Sequence, residues 1–94
     1  MYARLVRFSF GPGKRAEAQA LADELMPLIT SQPGCEHAVV FGDDSDGEYG
    51  IFVLWQTEAE ADAAAQLVRP KLMEHLQGNA QGAPEMRLFE VISR

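Results

Sequence analysis

A single cysteine, Cys35, leaves this 94-residue chain without the partner that an intrachain disulfide needs. One unpaired thiol fits a reducing compartment, and a cytoplasmic location is expected. Basic residues are also scarce, eight against fourteen acidic, for a formal charge of −6. They are scattered from Arg4 to Arg94, whereas nucleic-acid binding depends on clustered Lys and Arg that neutralise phosphates, so that class is set aside. No apolar run approaches the roughly 20 residues of a membrane span. Arg4 and Arg7 interrupt the N-terminal stretch where a signal peptide needs unbroken apolar sequence. Neither a membrane nor nucleic acid is an expected partner.

Familiar chemical motifs are missing too. Gly11-Pro12-Gly13-Lys14 lacks the spacing and the Ser/Thr of a phosphate-binding loop. Asp44-Ser45-Asp46-Gly47 has Gly42 and Val53 where a calcium loop needs its first and twelfth ligands. There is no nucleophile elbow. Cys35 and His37, two apart and on one face of a regular strand, supply at most two metal ligands where zinc needs three or four, so no metal is expected.

Apolar sequence, by contrast, is abundant at 47% of residues. Ile51-Phe52-Val53-Leu54-Trp55 is apolar at every position, and Val39-Val40-Phe41 and Leu88-Phe89 with Val91 and Ile92 are nearly so. A strand with one wet face alternates; a run without alternation is buried on both faces. The spacing predicts strands over about Tyr2–Phe10, Cys35–Gly42, Glu48–Trp55 and Glu85–Ile92. Helices are predicted over about Lys14–Ser31, with Leu21, Leu25, Leu28 and Ile29 on one face, and from Thr57 to about Gln77. Thr57 and Glu60 form the capping-box pattern. Pro27 should kink the first helix, and Arg69-Pro70 should interrupt the second. Asp46-Gly47 between apolar runs marks a hairpin.

Strand, helix, strand, strand, helix, strand is the split βαβ, ferredoxin-like order of an α+β fold, one domain over residues 1–94. Right-handed crossovers put both helices on one side of a four-stranded antiparallel sheet. The other side is bare, and its apolar residues point to a homodimer built sheet against sheet.

This arrangement resembles the antibiotic biosynthesis monooxygenase (ABM) family of dimeric α/β barrels. The matching segments are Phe10-Gly11-Pro12-Gly13-Lys14, Gln32-Pro33-Gly34-Cys35, Val53-Leu54-Trp55-Gln56-Thr57 with Glu58 and Ala59, and Arg87-Leu88-Phe89-Glu90-Val91. The resemblance implies a dimer with one pocket per subunit, between sheet and helices. Some members oxidise quinols or polycyclic phenols with O2 without flavin, metal or haem, and others bind and degrade haem. The expectation is a cofactor-independent monooxygenase acting on a small aromatic or quinol-type substrate. The alternative is a non-catalytic dimeric module, stress-associated or holding a small hydrophobic ligand. Haem degraders use a tryptophan where this chain has Ala63-Ala64-Ala65, which disfavours that branch.

Five residues are candidates for the site. Trp55 matches the family's tryptophan; an indole stacks on a flat ring and offers one N–H, and otherwise it packs in the core. His75, on the flank of the Leu72/Leu76 face, is a proton acceptor, a haem ligand, or a solvated histidine near a helix end. Tyr49 shares its alternation class with Trp55 and is a possible hydrogen-bond donor to substrate. Arg4 and Arg87 either steady a substrate anion or form interface ion pairs, with Glu48 and Glu90 as possible mates. Phe8, Phe52 and Met73 are large enough to fill the pocket.

Overall fold

A computed structural model describes residues 1–94. The chain runs β1 (Tyr2–Ser9), α1 (Arg15–Thr30), β2 (Cys35–Asp43), β3 (Glu48–Trp55), α2 (Glu58–Leu76) and β4 (Glu85–Glu90). The strands form one sheet in the order β2-β3-β1-β4, antiparallel throughout. This is the ferredoxin-like α+β architecture expected from the order of elements.

Alternation decides which side chains meet the helices. Val6 and Phe8 of β1 and Tyr49, Ile51, Val53 and Trp55 of β3 are buried, together with Leu21, Leu25 and Ile29 of α1 and Ala61, Ala64, Leu72 and Leu76 of α2. The alternate positions form the opposite face in rows set by the register. One row is Val39, Phe52, Leu5 and Arg87; the next is His37, Leu54, Ala3 and Phe89. No element of the chain covers this face, and Phe41 remains 44% exposed there.

Two glycines fit the sheet to its aromatics. Gly42 lies opposite Tyr49 and Gly50 opposite Phe41. A Cβ on Gly42 would run into the Tyr49 ring, and one on Gly50 into the Phe41 ring. Each ring therefore lies down over its cross-strand glycine, Tyr49 on the helix side and Phe41 on the open side.

The start of α2 follows local chemistry. Thr57 Oγ1 accepts from the Glu60 N–H at 3.1 Å, satisfying one of the free amides of α2, and its hydroxyl donates to Glu60 Oε1 at 3.0 Å. The Asp43–Glu48 turn is held by Asp43, whose carboxylate accepts from the Ser45 N–H and hydroxyl at 2.9 and 2.6 Å. Those bonds hold the Asp43 carboxyl below its ordinary value, the side-chain bond contributing most.

The structure corrects three local expectations. Pro70 does not interrupt α2, which is continuous from Glu58 to Leu76. One lost hydrogen bond is outweighed because Ala61 and Ala64 before it and Leu72 and Leu76 after it are buried in the same core. The last strand stops at Glu90, because its partner β1 begins at Tyr2, the residue paired with Glu90. The Val91 N–H still reaches the Met1 carbonyl at 2.9 Å, but Ile92 is 98% exposed. Finally, Cys35 and His37 do not share a face. A register shift between them sets Cys35 opposite Trp55 and His37 opposite Leu54, so Cys35 packs on the core while His37 lies on the open face.

Candidate functional site

Between α2 and the sheet lies a cleft of about 50 Å³. Its walls follow from two periodicities. Even positions of β1 supply Arg4 and Val6, and odd positions of β3 supply Ile51, Val53 and Trp55. Spacings of four along α2 supply Ala64, Val68 and Leu72 in one row and Ala65 and Arg69 in the next. The short side chains of Ala64 and Ala65 keep the helix from filling the space. Apolar groups dominate the lining; Arg4 and Arg69 are its only charged members.

At its mouth the cleft meets a wider recess of about 400 Å³, bounded by Arg4, Asp62, Ala65, Gln66, Arg69 and Pro70. Arg4, Ala65 and Arg69 belong to both spaces. Arg4 Nη2 donates to Asp62 Oδ1 at 3.1 Å. Its side chain is 19% exposed against 60% for Asp62, so the guanidinium sits at the boundary between apolar interior and solvent. Arg69 is exposed and takes no part in the chain's four ion pairs.

Trp55, 3% exposed, lines the cleft from the end of β3. The space that it faces is the one that also holds Arg4, so these two expected site residues come together. The other three lie elsewhere. Tyr49 is on the same face of β3 but six residues away, about 20 Å along a strand. It packs against Phe8 and Phe10, with ring centroids 6.3 and 5.9 Å away, and borders a separate recess of about 190 Å³ beside Arg15 and Val40. Its hydroxyl donates to Asp44 Oδ1 at 2.8 Å. Burial, and then that carboxylate, push the Tyr49 phenol above its ordinary value. His75 is turned to the seam between the helices, its Nε2 2.6 Å from Glu24 Oε1, and does not line the cleft. Arg87 is on the open face of the sheet, its guanidinium 4.5 Å from the centre of the Phe89 ring. Of the residues expected to fill the pocket, Phe8 is in the core, Phe52 is on the open face, and Met73 is 43% exposed.

Sequence reasoning missed Arg69, which drew notice only as the residue before Pro70. The signal was present in the spacing: Asp62, Gln66 and Arg69 are four and then three apart, one face of a helix. Reading it required Arg69, the residue before a proline, to stay helical. The setting of Cys35 does not activate its thiol. Burial pushes its thiol up, a hydrogen bond from the His37 backbone opposes this in part, and the Glu36 charge adds a smaller upward push.

A four-stranded antiparallel sheet with two helices on one face and a cleft under the second helix is a ferredoxin-like α+β architecture. The chain belongs to the antibiotic biosynthesis monooxygenase family, whose model matches residues 1–79. Comparison with curated proteins yields no match. Solved structures give close likenesses of fold. NE2512, a protein of unknown function from Nitrosomonas europaea, is 19% identical, with 99% of this chain and 90% of that one covered at a TM-score of 0.84. Rv0793 from Mycobacterium tuberculosis is 16% identical, with 99% and 96% covered at 0.77. SnoaB, a cofactor-independent oxygenase from Streptomyces nogalater, is 20% identical, with 99% and 94% covered at 0.74. At such identities the likeness is one of fold.

Proposed function

We propose that the protein is a cofactor-independent monooxygenase that oxidises a small aromatic or quinol-type substrate with O2 in the cleft under α2. The observation that carries this reading is the pairing of an apolar cleft walled by Trp55 with a guanidinium, Arg4, at its mouth. A substrate that supplies its own electrons must be held as an anion, and a guanidinium beside an apolar wall favours the anion over the neutral form. The ring then gives an electron to O2. In an anthrone-type ring one oxygen atom enters the product, where the methylene becomes a carbonyl, and the other leaves as water with the two methylene hydrogens. In a quinol one oxygen atom replaces a ring hydrogen as a hydroxyl, the ring is oxidised to the quinone, and the other oxygen leaves as water. Trp55 supports the ring, and Arg4 holds the charge. SnoaB, described as a cofactor-independent oxygenase, supports the reading by its fold. Tyr49, His75 and Arg87, outside the cleft, fall outside the proposed site.

A cleft of about 50 Å³ is smaller than a drug-sized ligand pocket. Binding a ring therefore requires α2 to move outward, or the ring to lie across cleft and recess together. The same small volume favours the second reading, a binding module that holds a ligand without turnover. O2 uptake against quinols and anthrones separates the two. The oxygenase reading expects uptake well above the uncatalysed rate, lowered at least tenfold in a folded Trp55→Phe variant, an effect of about 1.4 kcal/mol on the barrier. A bound ring with no uptake across the panel supports the binding module.

The proposal includes a homodimer through the open face of the sheet. Leu5, Val39, Phe41, Phe52, Leu54 and Phe89 lie on that face, and a second copy presents the same apolar surface about a two-fold axis.

A further inference from the structure

We infer that Arg69 and Arg4 form a carboxylate-binding subsite at the mouth of the cleft, and that the ligand is an aromatic carboxylate. The inference rests on the cleft under α2 being the ligand site and adds the substrate class. Its first support is local charge. The chain carries −6 overall, yet the only charged residues lining the cleft are two arginines. An acidic protein repels anions in general, so an anionic ligand needs a local cationic mouth of this kind.

The second support is unused hydrogen-bonding capacity. A guanidinium has five N–H donors. Arg4 uses one, toward Asp62, in a single contact rather than the two-pronged pairing that arginine and carboxylate favour. Arg69 has no carboxylate partner among the ion pairs of the chain. Asp62, at 60% exposed, is an easily displaced substitute for a ligand carboxylate.

The third support is shape. Arg69 borders both the apolar cleft and the polar recess, the setting in which an arginine lays its methylene stem on apolar surface and keeps its charged head in the wetter space. A planar ring with its edge in the cleft, on the Trp55 side, directs a ring substituent outward to these heads. A carboxylate matches them in charge and in fork geometry, where a neutral amide of the same shape matches neither.

The test uses benzoate and benzamide, isosteric probes that differ in charge. Trp55 is the chain's one tryptophan, so its indole N–H gives a single, assigned nuclear magnetic resonance signal at the cleft. The expected result is that both probes shift this signal, with benzoate binding more tightly and losing that advantage as salt rises. Arg69→Gln, a change at an exposed position, should weaken benzoate about tenfold, the loss of one charge-assisted contact of about 1.4 kcal/mol, and leave benzamide unchanged. Asp62→Asn, which removes the competing carboxylate, should strengthen benzoate. Equal affinities of the two probes, or a benzoate preference that survives Arg69→Gln, would overturn the subsite while leaving the cleft as ligand site. An unchanged or lowered benzoate affinity in Asp62→Asn would remove Arg4 from it. A Trp55 signal that neither probe moves overturns both the subsite and the cleft reading.

Discussion

Asp44 accepts from two elements at once, the Tyr49 hydroxyl of β3 at 2.8 Å and Arg15 Nη1 of α1 at 2.9 Å. Burial and Asp44 raise the Tyr49 pKa in the fold above the ordinary 10.0, so the native state holds the phenolic proton more tightly than the unfolded chain does. The resulting stabilisation is complete below about pH 10 and is lost as pH rises through the folded value. Urea midpoints measured upward from neutral pH should fall at alkaline pH, and Tyr49→Phe should flatten that fall. The neighbouring glycine gives a second residue-scale prediction. Gly42→Ala sets a methyl group against the Tyr49 ring, and the ring is hemmed in by Phe8 and Phe10. A loss of about 1–3 kcal/mol is expected, the usual range for overpacking, together with a change in the near-ultraviolet circular dichroism of the aromatic cluster.

At the scale of elements, α2 is the one that bears on the cleft. Pro70 sits inside it and leaves one carbonyl without its helical donor, so Pro70→Ala should stabilise the helix by about 1 kcal/mol or more. A higher melting temperature would report it. Leu72 is 2% exposed and lines the cleft. Leu72→Ala should cost about 2–5 kcal/mol and enlarge the space, so a folded variant should accept bulkier rings than the parent does; unchanged ring selectivity would count against the cleft as the site. Tertiary packing also explains why Pro70 misled the local reading, since helix preference is a weak prior beside a continuous buried stripe.

For the whole molecule, the open sheet face is the main consequence of placing both helices on one side. Exposed Val39, Phe41 and Phe89 share that face with Arg7, which pairs with Glu48, and with Arg87 over Phe89. If a second copy covers it, a charge set into the apolar rows should separate the copies. Sedimentation equilibrium should report a dimer for the parent and a monomer for Val39→Glu, with the circular dichroism of the fold retained. A monomeric parent would sink the sheet-face dimer. Val39 is suited to the test because its side chain is on the open face, opposite Phe52, and outside the helix-side core.

Sequence by itself determined the order of elements, the sheet's two apolar faces and the family resemblance. These rest on local rules: alternation along β3, the Leu21/Leu25/Ile29 stripe of α1, and the Thr57 cap. It also singled out Trp55, through the family resemblance, and Arg4, as an arginine set within a strand. Only the tertiary structure decided which residues share a space. Tyr49 and Trp55 are on one face but border different cavities, since distance along a strand grows by about 3.3 Å per residue whatever the face. His75 was separated from the cleft by the packing of α2 on α1, which turns it to Glu24. Arg69 joined Arg4 because a helix and a strand distant in sequence are stacked across the core, and no local pattern encodes the contact between two such elements.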